Sequence, residues 1–140
     1  MKYLIPLLLI ATLSTSAQTK DYSKDVTSID ATIAALYEVI SGDPGVPRDW
    51  DRFRNLFQQE ARLIPTRKNP QGELILQALK PDEYVQLFST YETKEKKDGP
   101  VTNRGINSIQ LFFDGKRYSI VNVFWCAESL GFPLPEKYVK

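Results

Sequence analysis

The chain contains no histidine, one cysteine and one methionine among its 140 residues. Without imidazole there is no Ser-His or Cys-His nucleophile and no histidine-ligated zinc or haem. No remaining side chain has an ordinary pKa near neutrality. A single cysteine can close no disulfide within the chain. Cys126 lies between Trp125 and Ala127, which offer nothing to stabilise a thiolate, and it reads as a small buried hydrophobe. No glycine-rich phosphate loop or metal-spaced cluster is present, so neither cofactor nor metal is expected. An excess of charge is missing too: 18 basic side chains face 17 acidic ones. Non-specific attraction to nucleic acid or to an anionic membrane surface is therefore not expected. The one basic cluster, Lys94, Lys96 and Lys97, is interleaved with Glu92, Glu95 and Asp98 and reads as a solvated loop.

What is there suits one globular domain: 42% hydrophobic and 11% aromatic residues. The first residues are set apart from it. Lys2 is followed by an apolar run from Tyr3 to Leu13 and then by Ser14-Thr15-Ser16-Ala17. This is the layout of a secretory signal peptide over residues 1–17, cleaved after Ala17, and it implies a secreted or periplasmic domain over 18–140. The run falls short of the ~20 residues that a membrane span needs.

Ile29, Ile33, Leu36, Tyr37 and Ile40 recur at helical spacing, so a helix is expected from Thr27 to Gly42 with these residues on its buried face. Thr27 with Asp30 resembles a capping box. After the turn Asp43-Pro44-Gly45-Val46-Pro47, Asp49 can cap a second helix whose aromatic face holds Trp50, Phe53, Leu56 and Phe57. Short strands are expected over 61–66 and 73–79, separated by a loop over 67–72. Lys80-Pro81-Asp82-Glu83 opens like a third helix, with proline at a favoured first position. Yet residues 87–93 read as strand, and no turn residue separates the two. Last come two strand-like runs, 105–113 and 116–126, flanking Asp114-Gly115, a strong signal for a two-residue turn.

A turn centred on Asp114-Gly115 pairs Phe113 with Lys116, Leu111 with Tyr118, Ile109 with Ile120 and Asn107 with Asn122. By alternation the last three pairs share one apolar face, which is expected to look toward the helices. Two opposed asparagines there either bond to each other or to water, or they line a ligand cavity. The same register sets Arg104 opposite Trp125, where it either covers the indole or anchors an anion. Tyr37, on the apolar helix face, suits core packing with a satisfied hydroxyl. Asp49-Trp50-Asp51 and Asp82-Glu83 are acids in first helical turns, as the helix dipole favours.

Residues 33–42, 48–57, 61–66, 88–92, 104–112 and 120–125, with Pro135-Glu136-Lys137-Tyr138, resemble small bacterial members of the nuclear transport factor 2-like superfamily. The resemblance implies a cone-shaped α+β roll, with N-terminal helices packed on a curved antiparallel sheet that ends in a long Asp-Gly hairpin. Relative to that pattern, a strand segment is missing between Val85 and Leu87. Some members are isomerases, dehydratases or cyclases using Asp, Tyr and His, while others only bind. The leading expectation is a small apolar ligand in the cone. Asn107, Asn122, Tyr118, Ile109 and Leu111 would form the sheet wall, Tyr37, Trp50 and Phe53 the helix side, and Arg104 with Trp125 the rim. Two alternatives stand beside it. One is a non-catalytic module that forms a homodimer or docks a protein through its open sheet. The other is a histidine-free isomerase or lyase pairing Glu92 or Glu128 with Tyr37, Tyr91 or Tyr118.

Overall fold

Ser28 opens the first helix, α1 (Ile29–Ile40): its side chain accepts a hydrogen bond from the Ala31 amide at 3.1 Å. The computed structural model describes residues 20–41, 45–89 and 104–138, so the signal peptide expected over residues 1–17 lies outside the described residues. Thr27 is not the cap. Its hydroxyl donates to the Lys24 carbonyl (3.0 Å) and closes the 3-10 turn Ser23–Val26. The buried face of α1 is Thr32, Ala35, Leu36 and Val39. Ile29 (52%), Tyr37 (41%) and Ile40 (36%) stay exposed, against expectation. Small side chains let the helix approach its neighbours closely. Thr32 can be buried because its hydroxyl donates back to the Ser28 carbonyl at 2.8 Å.

Asp49 caps α2 (Trp50–Asn55) as expected, accepting from the Arg52 amide at 3.1 Å. The helix stops at Asn55, where the Arg117 guanidinium donates to the Asn55 carbonyl, a cation at a helix C-terminus. Phe57 then begins strand β1 (Phe57–Lys68), which is longer than the six residues expected. Asn69 organises the return: its Oδ1 accepts from the Gln71 and Glu73 amides, and Gly72 takes φ +82°. Strand β2 (Leu74–Leu76) follows and pairs antiparallel with β1. An isolated bridge joins Leu63 to Leu79.

The next element corrects the expected strand over 87–93. Residues Pro81–Ser89 form one helix, α3, running unbroken through Val85, Gln86 and Leu87. Glu83 Oε2 accepts from the Lys80 amide at 2.7 Å, and Pro81 occupies the first turn. Tyr84, Val85 and Phe88 bring one side of the helix against the rest of the molecule. Packing along that side overrides the strand preference of the sequence. Residues 90–93 lie outside the described residues.

Strands β3 (Gly105–Phe113) and β4 (Tyr118–Ala127) complete a sheet of order β2-β1-β4-β3. β1 and β4 run parallel, so the sheet is mixed rather than antiparallel throughout. α1, α2 and α3 pack on it in an α+β arrangement, and the core gathers around Phe53, Leu56 and Ile120, which have no exposed surface.

The register of β3 on β4 also differs. Phe113 pairs with Tyr118, Leu111 with Ile120, Ile109 with Val123 and Asn107 with Trp125. Two local causes add up. The Asp114 amide donates to the Arg117 carbonyl (3.3 Å), so Gly115 and Lys116 are the central turn residues. Gly115 supplies the positive φ, +94°, and Asp114 Oδ1 accepts from the Lys116 and Arg117 amides at 2.8 Å each. Farther on, β4 holds one extra residue between the Leu111–Ile120 and Gln110–Asn122 pairs, a bulge at Val121.

Candidate functional site

The bulge decides which side chains meet the helices. Ile120 belongs to the core, and beyond the extra residue Val123 and Trp125 take the helix side. Alternation then turns Asn122 and Phe124 to the opposite face. On β3, Asn107, Ile109 and Leu111 keep the expected side. Between these strands and the helices lies a cavity of about 240 Å3. Leu36, Tyr37 and Ile40 of α1, Phe53 of α2, Leu63 of β1, and Tyr84 and Phe88 of α3 face Asn107, Ile109, Val123 and Trp125 across it.

Tyr37, Phe53, Asn107 and Ile109 thus line one cavity, and Trp125 lies in its wall. Leu111 packs on the core beside the cavity. Trp50 sits behind the wall, edge-on to Phe53 (centroids 5.6 Å apart, planes at 88°), with its indole Nε1 buried and unpartnered. Tyr118 is at the turn end of the hairpin, its ring 4.6 Å from that of Phe113. Asn122 is opposite Gln110, so the expected asparagine pair does not form. Arg104 is not over Trp125 either. It grips Glu128 through two hydrogen bonds of 2.9 and 3.1 Å, while the Glu128 amide donates to the Arg104 carbonyl. Glu128 therefore serves an ion pair and is not in the cavity wall. Glu92 and Tyr91 lie outside the described residues.

Sequence reasoning missed Tyr84 and Phe88. Their i, i+4 spacing was the available signal, hidden by reading residue 87 onward as strand. Tyr84 stacks on Phe53 (5.2 Å, 15°) and on Phe88 (4.2 Å, 24°) and meets Trp125 at 82°. Burial pushes the Tyr84 phenol up to about 12, so it stays protonated at any ordinary pH. At the polar end, Asn107 Nδ2 donates to Tyr37 Oη at 2.9 Å, joining α1 to β3 across the cavity. Both residues are exposed. No described lining residue carries a charge.

Among the described residues no group of three or more Cys, Asp or Glu side chains could hold a metal, and no helix is long and apolar enough to cross a membrane. Fold and cavity together define an α+β domain with a pocket between its helices and a mixed sheet, whose described lining is uncharged and rich in aromatic side chains. No protein-family model, curated protein or solved structure matches the chain.

Proposed function

We propose that the protein is a binding domain of the nuclear transport factor 2-like kind, holding a small, largely apolar molecule between its helices and sheet. The observation that carries this reading is the cavity wall, where, among the described residues, five aromatic and five aliphatic side chains surround a single amide. Such a lining gains from excluding water and offers few polar groups, the pattern of small-molecule sites. A ligand of one or two rings suits about 240 Å3, since an apolar cavity of about 150 Å3 already takes up benzene. The proposal includes export of the domain after removal of residues 1–17.

Toluene titration tests it. Trp125 is in the wall and Trp50 behind Phe53, so a saturable change in tryptophan emission is expected, with a rise in the unfolding temperature. Ile109→Trp should fill the cavity and abolish both responses while the far-ultraviolet circular dichroism stays unchanged. Absence of saturable toluene binding, or binding that Ile109→Trp leaves intact, overturns the reading.

A further inference from the structure

We infer that Tyr37 and Asn107 form the recognition end of this cavity and select a neutral ligand group that both donates and accepts hydrogen bonds, as a primary amide or lactam does from neighbouring atoms. The inference rests on the binding reading above and names the ligand's head group. The two side chains come from elements 70 positions apart in sequence, yet they meet at 2.9 Å beside the cavity. An exposed side-chain pair of this kind adds little to folding, because water competes for both partners.

Its geometry has a chemical consequence. Asn107 donates to Tyr37 Oη, so the phenol's own proton is left to donate elsewhere. The Asn107 carbonyl oxygen remains an acceptor. A donor and an acceptor held side by side are complementary to the C=O and N–H of one amide. Nothing in the described wall would stabilise a charge: it has no cation for a carboxylate and no carboxylate for an ammonium. Tyr84, a phenol and so neutral at pH 7, adds no charge to the described lining. The stacked rings Phe53, Tyr84 and Phe88 supply a wall for the apolar part of the molecule.

Four probes of similar size separate the outcomes: toluene, benzamide, benzoate and benzylamine, titrated at pH 7 by tryptophan emission. Benzamide should bind at least tenfold more tightly than benzoate or protonated benzylamine. In Asn107→Leu and Tyr37→Phe the ratio of benzamide affinity to toluene affinity should fall about threefold to tenfold, the usual worth of one net hydrogen bond. Toluene affinity itself should hold in Tyr37→Phe, which keeps the ring. An unchanged ratio in both variants, or benzoate binding as well as benzamide, overturns the inference while leaving the cavity reading standing. Failure of toluene to bind overturns the cavity reading, and this inference with it.

Discussion

Phe53 touches three other aromatic rings, those of Trp50, Phe57 and Tyr84, and has no exposed surface. It belongs at once to the core and to the cavity wall, so truncating it enlarges an existing void. Phe53→Ala should cost about 3–5 kcal/mol, read from the urea midpoint at constant slope. Tyr84 makes a different demand. Its phenol is raised by burial from 10 to about 12, which means the folded state holds the proton more tightly than the unfolded chain. Stability from this group is complete below pH 10 and is lost as the pH rises from 10 toward 12, on the order of 2–3 kcal/mol. Tyr84→Phe keeps the stacking and removes the ionisation. Urea midpoints measured between pH 9 and 12 should therefore fall less steeply in the variant than in the parent. Parallel curves would show that the hydroxyl is not desolvated.

At the scale of elements, α2 has only six residues and cannot persist on its own propensity. It is held by Phe53 in the core and by its cap. Burial alone would raise the Asp49 carboxyl, but hydrogen bonds from Lys20, the Arg52 amide and Tyr22 outweigh it and hold the group below its ordinary value. The same oxygens tie residues 20 and 22 to the start of α2, at 2.9 and 2.8 Å. Next to them Arg52 clasps Asp25 through Nε and Nη2 and reaches Glu38 of α1. Asp49→Ala should cost about 1–2 kcal/mol at pH 7. Because the folded carboxyl is depressed, its contribution is present above pH 3.8 and disappears as the pH falls through the lower folded value. Asp49→Asn keeps a capping acceptor, so at pH 7 it should lose less than Asp49→Ala and should show none of this acid dependence. Equal losses in the two variants would mean that charge, not capping, does the work. This cap could be read from the sequence because it depends on residues a few positions apart. The face of α1 could not. The apolar period marks Ile29, Tyr37 and Ile40, but close packing selects Thr32 and Ala35, and which helix face is buried depends on neighbours far along the chain. α3 was half legible for the same reason: Pro81 and Glu83 announce its start locally, whereas Tyr84, Val85 and Phe88 extend it by tertiary contact.

Across the whole molecule, one extra residue sets which part of β4 meets the helices. Tyr118 and Ile120 alternate as an uninterrupted strand would, yet the next residue to line the helix side is Val123 rather than Asn122. That count explains why the expected facing holds along β3 and fails on β4 at Asn122: a turn signal predicts a register, but nothing in Ser119-Ile120-Val121-Asn122 announces a bulge. Deletions can weigh the bulge directly. Removing Val121 takes out the unpaired residue and leaves Ile120, Val123 and Trp125 on the helix side of a regular strand. The loss should comprise the half-buried valine side chain, about 1.5–3 kcal/mol, and the refit of β4 against β1, whose register shifts at the same point, with the tryptophan response to toluene retained. Removing Phe124 instead reverses the alternation beyond Val123. It carries Trp125 to the outer face and Cys126 to the inner one. That variant should lose the toluene response, and its Cys126 thiol should react more slowly with a water-soluble thiol reagent. If the two deletions behave alike, in binding and in thiol reactivity, the bulge at Val121 does not govern the facing of β4.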